Sequence, residues 1–195
     1  KENYPSKYTA NQEEVRKAAN PKELTFETQY GGAGSTNASV VESAAAKNFA
    51  IISYRGHGSS TTWSGWDKNG TSFGFSNVDK MPDSEDKLAV VFNLACDNGA
   101  IQNSSDTIVE KLLFPKKENT YQGAVATFGA TEPSMTETNH RFNKHLFKFL
   151  QAGDDISMGT IYTLANNQLT KDAGGTAPSN VKMYLLFSDP LLKPF

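Results

Sequence analysis

Two side chains in this sequence stand where chemistry is most easily done. The only cysteine, Cys96, ends the apolar run Lys87 to Ala95 and is followed at once by Asp97, Asn98 and Gly99. His57 ends a second run of the same shape, Phe49 to Arg55, and is flanked by Gly56 and Gly58. A thiol near neutral pH is mostly protonated, so it becomes a nucleophile only with a base or a cation in reach. A histidine can take that proton and later return it to a leaving amine. Glycines on both sides of His57 allow a sharp turn and the close approach of a substrate. The backbone N–H groups of Gly58 and of Cys96 are the natural candidates to hold an oxyanion. Each residue also has a plainer reading. A cysteine closing an apolar strand is commonly a small core residue, and a histidine between glycines is commonly a turn residue.

What would bring the pair together is a sheet whose strands all end on one rim. Leu24 to Tyr30 alternates apolar and polar residues and is expected as a strand. Asn37 to about Lys47 then reads as a helix, followed by the strand through Arg55. Strand, helix and strand imply a right-handed crossover and a parallel pair. The run 87–95 is almost continuously apolar, as expected of a strand covered on both faces. Gln122 to Gly129 is a further buried strand, and Val181 to Phe187 a last one. Helices are expected over Asn11–Ala19, Asp106–Phe114, Thr136–Leu150 and Ile156–Leu169. Residues 1–10 read as irregular, and 56–70 as a loop holding Trp63 and Trp66. The sum is an α/β/α sandwich with a mostly parallel sheet. Ligands bind such sheets outside the carboxyl ends of the strands, where His57 and Cys96 both fall.

Composition narrows the classes. At 195 residues the chain is long enough to bury a core. A net charge of −2 gives no electrostatic basis for binding nucleic acid. No apolar run approaches the ~20 residues of a membrane span. A single cysteine excludes an internal disulfide. With three histidines, of which His140 and His145 are five apart and read as solvated surface, no metal site is expected. Gly31-Gly32-Ala33-Gly34 lacks the Lys-Ser/Thr of a phosphate cradle. No G-x-S-x-G elbow supports a serine nucleophile. The chain opens on Lys1-Glu2-Asn3, without signal peptide or methionine, and reads as a processed piece.

At these residues the sequence resembles the gingipain family of cysteine peptidases, grouped with the caspases and legumains. Tyr54-Arg55-Gly56-His57-Gly58-Ser59-Ser60-Thr61-Thr62-Trp63 is similar to the family's His-Gly-Ser-Glu-Thr-x-Trp stretch, with Ser60 in place of the glutamate. Asn93-Leu94-Ala95-Cys96-Asp97-Asn98-Gly99 is similar to its Ala-Cys-x-Asn-Gly stretch. Gly123 to Ala126 matches the following strand. Phe187-Ser188-Asp189-Pro190-Leu191-Leu192 resembles its Phe-Gly-Asp-Pro-Ser-Leu ending, with Ser188 for the glycine.

The resemblance implies a caspase-haemoglobinase fold and a secreted or cell-surface bacterial endopeptidase. It would act on protein or peptide substrates through a Cys96/His57 dyad and an acyl-enzyme, with Gly58 in the oxyanion hole. It implies that residues 1–195 form one peptidase subdomain, with an upstream subdomain, and any downstream domain, outside the chain. Trp63 would wall the specificity pocket. Glu132 or Glu137, with Glu137 favoured, would supply an acid to meet a substrate Lys or Arg; the plainer reading is that both are solvated or first-turn helix charges. No cofactor is required. Calcium as a structural ion is a family feature, and Asp67-Lys68-Asn69-Gly70 has the look of a calcium-loop fragment, or of a plain turn. The alternatives are an inactive relative, a sortase-like enzyme that processes exported proteins, and a module that binds peptides without cleaving them.

Overall fold

The computed structural model describes residues 5–19, 24–31, 38–64, 71–83, 87–103, 105–115, 122–153, 155–175 and 178–195. Its centre is a four-stranded sheet of β1 (Ile51–Arg55), β5 (Ala89–Leu94), β6 (Ala124–Ala130) and β7 (Tyr184–Phe187), in that order. β1, β5 and β6 run parallel, and β7 closes the edge antiparallel to β6. All six residues of β5 are buried, which explains the unbroken apolar run.

Alternation along β5 sorts the two faces. Val90, Phe92 and Leu94 join Phe128 in one core with α1 (Pro5–Ala18), α5 (Thr136–Leu150) and α6 (Met158–Asp172). Val91 and Ala95 face the other core, with α2 (Ser39–Ala45), α3 (Phe75–Val78) and α4 (Ile108–Leu113). In α5 the buried Phe142, Leu146 and Leu150 recur every fourth residue, and in α6 Met158, Ile161, Ala165 and Leu169 form a similar stripe. Thr107 starts α4 by accepting from the Glu110 amide while Glu110 reaches back to Thr107, a reciprocal cap. The α/β/α sandwich and the mostly parallel sheet are therefore as the pattern implied.

Four local expectations change. Residues 24–30 form no strand and belong to neither sheet. Leu24 and Phe26 instead pack sideways on the α1/α5 core, Phe26 lying 6.4 Å from the Phe147 ring. A cavity of about 460 Å³ runs along the free edge of β1 between this segment and α1. The first helix is longer than Asn11–Ala19 and begins at Pro5, since a proline is compatible with a first helical turn. The last strand is half its expected length. Its leading half is α7 (Ser179–Met183), whose turn places both Asn180 and Met183 inside. The loop after His57 contains a second, antiparallel sheet of β2 (His57–Gly58), β3 (Thr62–Ser64) and β4 (Phe73–Gly74). Trp66, residues 32–34 of the glycine loop and Asp67 to Gly70 lie outside the described residues.

Candidate active site

Register decides the meeting of the two motifs. Arg55 is the rung partner of Leu94, so His57 and Cys96 each stand two residues past one shared rung on adjacent parallel strands. The loops are then fastened to each other. Asn98 is fully buried, and its amide donates to the carbonyls of Ser59 at 2.5 Å and Thr62 at 3.1 Å. Gly58 lies against the cysteine turn: a methyl group there would sit 2.7 Å from the Cys96 carbonyl oxygen and 2.8 Å from Ala95 Cβ. Only a residue without Cβ fits that approach.

The cysteine turn is also tied to the end of β6. The Asp97 amide donates to the Glu132 carbonyl at 3.3 Å, and the Gly99 amide to the Ala130 carbonyl at 2.8 Å. Gly99 packs directly on Gly129, where an added Cβ would meet backbone at 2.9 Å. Asp97 adopts a left-handed backbone, φ 59°, which an Asp tolerates better than most residues. This kink turns the chain sharply just after Cys96, so the thiol is left half-buried at the strand end. Cys96 Sγ lies against Ser134: it accepts from the Ser134 amide at 3.4 Å and from the Ser134 hydroxyl at 3.8 Å. A protonated thiol donates to the Ser134 carbonyl, 3.6 Å away.

His57 is exposed on β2, and its carbonyl accepts from the Tyr54 hydroxyl at 2.7 Å. Its ring meets Tyr8 of α1 edge-on, with centroids 5.5 Å apart. The same Tyr8 ring lies 4.6 Å from the guanidinium of Arg55. Arg55 is 7% exposed and donates to the carbonyls of Leu94 at 3.2 Å and Thr136 at 2.7 Å. Burial above all holds the imidazole below its usual range, with the Arg55 charge a smaller contributor. Near neutral pH His57 is therefore a neutral base. Across the turn, burial and then the Glu132 carboxylate push Asp97 above the ordinary aspartate value.

The remaining candidates separate. Trp63 is 1% exposed, stacked between Tyr54 at 4.4 Å and Phe73 at 4.6 Å, with its Nε1 donating to Asn93 at 2.5 Å. It is the keystone under the histidine sheet, and its edge reaches the cavity that also borders His57. Glu137 is exposed and pairs with Arg141 one helical turn on, as a solvated helix face does. Glu132 is exposed just past the end of β6, its carbonyl facing Asp97 of the cysteine turn. His140 and His145 are not solvated: they bond Glu14 at 2.8 Å and Asp172 at 2.7 Å. Among the described residues, no group of three or more His, Cys, Asp or Glu could hold a metal ion. No helix among them is long and apolar enough to cross a membrane. Sequence reasoning passed over Tyr8, Ser134 and the role of Arg55. Arg55 carried one readable signal, a cation closing an otherwise apolar strand. Tyr8 and Ser134 carried none.

Residues 1–195 match the profile of peptidase family C25. The chain belongs to that family. Gingipain R2 and gingipain R1 of Porphyromonas gingivalis are each 34% identical to it over 83 residues, 42% of this chain. That stretch is 10% of gingipain R2 and 8% of gingipain R1, so the C25 chain spans only a small part of these relatives. In three dimensions it resembles the Arg-specific cysteine proteinase gingipain R (RgpB) with a TM-score of 0.79 at 18% identity, covering 95% of this chain and 42% of that one. A complex of the P. gingivalis RgpB pro- and mature domains gives 0.72 at 21% identity, covering 82% and 37%. These likenesses give the C25 chain the caspase-like fold of the gingipains.

Proposed function

We propose that this chain is the catalytic unit of a cysteine endopeptidase. The observation that carries the reading is the shared rung: strands paired at Arg55 and Leu94 each run two residues further to His57 and Cys96, with Gly58 pressed against the cysteine turn. Neutral His57 takes the Cys96 proton, and the sulfur attacks the peptide carbonyl carbon. The N–H groups of Gly58 and Cys96 receive the oxyanion. The C–N bond then breaks as His57 gives its proton to the leaving amine, leaving a thioester on Cys96. Water activated by His57 cleaves that thioester and restores the thiol.

Selectivity in this reading lies with the residue before the scissile bond. Of the two sequence candidates, Glu132 fits better than Glu137, because its backbone is bonded to the cysteine turn just past β6 and it is not held by Arg141. Asp97 and Glu132 repel each other there, and a substrate Lys or Arg would relieve that repulsion. A peptide library profiled on the residue before the cut gives enrichment in Lys or Arg, and Glu132→Gln removes it. No such enrichment would discard the pocket acid. The enzyme works as a secreted or cell-surface bacterial protein on protein substrates, alongside an upstream subdomain.

The deciding experiment is Cys96→Ala. Peptide hydrolysis and iodoacetamide labelling are both expected to disappear. Hydrolysis that survives the change refutes the nucleophile. A wild-type chain that labels at Cys96 but cleaves no peptide is an inactive relative.

A further inference from the structure

The sulfur of Cys96 is bordered by polar groups that play no part in the dyad, and their hydrogen bonds have a readable direction. The amide of Met135 donates to Asn180 Oδ1 at 3.4 Å. A backbone N–H can only donate, so that end of Asn180 must be its carbonyl oxygen, and the other end must be its NH₂. The NH₂ of Asn180 donates to Asn139 Oδ1 at 2.5 Å, which in turn fixes the Asn139 amide. Asn139 Nδ2 donates to Ser134 Oγ at 2.7 Å. The Tyr184 hydroxyl reaches the same oxygen at 3.4 Å. Burial pushes Tyr184 above its ordinary range, so it keeps its proton throughout any working pH.

Ser134 Oγ has two lone pairs and one hydrogen. The lone pairs are taken by Asn139 and Tyr184. The hydrogen is left to point at Cys96 Sγ, 3.8 Å away, beside the Ser134 amide hydrogen at 3.4 Å. Asn139, Asn180 and Tyr184 are at most 2% exposed, so water does not compete for the bonds these three donate, while Ser134 and Cys96 are half-buried. The buried network is one-way: every donor hands on toward the sulfur.

We infer that Ser134 holds the anionic form of Cys96, its hydroxyl and amide hydrogens forming a two-donor cradle whose direction is set by the positioning residues Asn139, Asn180 and Tyr184. This rests on Cys96 being the nucleophile. The Ser134 carbonyl favours the thiol by taking the S–H proton. On deprotonation that bond is lost and the two donors remain, so the cradle acts on the thiolate. In such a site part of the nucleophile's activation comes from fixed hydrogen bonds and not from His57 alone.

The test reads the thiol itself, on the full chain. Iodoacetamide alkylation of Cys96 is followed against pH, and its midpoint is compared between variants. Ser134→Ala, which keeps the amide donor and loses the hydroxyl, moves the midpoint up by roughly one pH unit, the size expected for one hydrogen bond to a charged group. At a fixed pH below the midpoint, alkylation slows about tenfold. Ser134→Thr restores the wild-type midpoint. Asn139→Leu has nearly the same volume but no N–H to give and adds no charge beside the sulfur. The Ser134 hydroxyl hydrogen is then no longer directed at Cys96, and the midpoint again rises although the hydroxyl is still present. Circular dichroism and a thermal melt establish that each variant is folded, and Asn139→Leu decides if Ser134→Ala is not. A folded variant whose midpoint coincides with wild type overturns the cradle, as does slower alkylation at an unchanged midpoint. Because alkylation needs no turnover, this outcome is independent of whether the chain cleaves peptides.

Discussion

The two halves of the candidate active site lean on different physics. The histidine arm adds packing to the hydrogen bonds it receives from Tyr54 and Asn98. Tyr54, Trp63 and Phe73 form one aromatic stack beneath β2 and β3, and His57 itself rests edge-on against Tyr8. The cysteine arm is held by hydrogen bonds. The turn is strapped to Glu132 and Ala130, and the sulfur lies in a polar network running through Ser134, Asn139 and Asn180. Packing fixes where a group sits while leaving its protons free to move. A directional network fixes where each proton points. In the proposed reaction that division suits a base that must gain and lose a proton and a sulfur that must be held in one place.

The comparison breaks most visibly at Trp63. Trp63→Ala removes the centre of the stack and leaves a large void, and is expected to cost about 3–5 kcal/mol in urea denaturation. A cost no greater than that of a surface substitution would mean that the histidine arm does not depend on packing. Gly58→Ala acts at the seam between the arms. Its Cβ has no room beside the Cys96 carbonyl, so about 1–3 kcal/mol of stability is lost. Peptide-hydrolysis kcat is expected to fall on the order of tenfold to a hundredfold as the two loops move apart. Stopped-assay kinetics alongside the melt separates the two losses.

Arg55→Met sharpens the electrostatic side. Two carbonyls lose their donor, but a buried cation is also removed, and these effects on stability oppose each other. The informative readout is the His57 ring proton in an NMR pH titration. In wild type its midpoint lies below the usual histidine value, and the variant moves it upward by a fraction of a pH unit as the repelling charge disappears. The sign for stability follows. The folded protein resists protonating His57, so stability is lower below the folded midpoint and rises with pH until the unfolded value of about 6.5 is passed.

The smallest effect is expected at Asp97, where the sign reverses. Its carboxyl is raised in the folded state, so its ionisation lowers stability as pH climbs above the ordinary value of 3.8. Asp97→Asn keeps a residue that tolerates the left-handed backbone and removes this penalty. Chemical denaturation at pH 4 and pH 7 should show the variant gaining slightly at the higher pH only.

Much of this was legible in the residues themselves. The spacing of Phe142, Leu146 and Leu150 gave α5 to the residue, and the apolar runs ending at His57 and Cys96 gave two neighbouring strands, β1 and β5, and their common rim. Local period reports which face is buried, and parallel topology then leaves few places for a strand end. The alternation of residues 24–30 was equally clear but was satisfied by packing on α1 and α5 instead of pairing with β1. Trp63 beside the histidine looked like a pocket wall. It is buried in a small sheet, held by Tyr54, Phe73 and Asn93 from both sides in sequence, with its edge at the cavity beside His57.

The sequence by itself determined the candidate pair Cys96 and His57 and the strands that present them, since each is written in one contiguous stretch. Only the tertiary structure decided what surrounds them. Ser134, Asn139, Asn180 and Tyr184 are ordinary polar residues from separate segments. Their meaning lies in which atom donates to which, and that exists only once the segments have met.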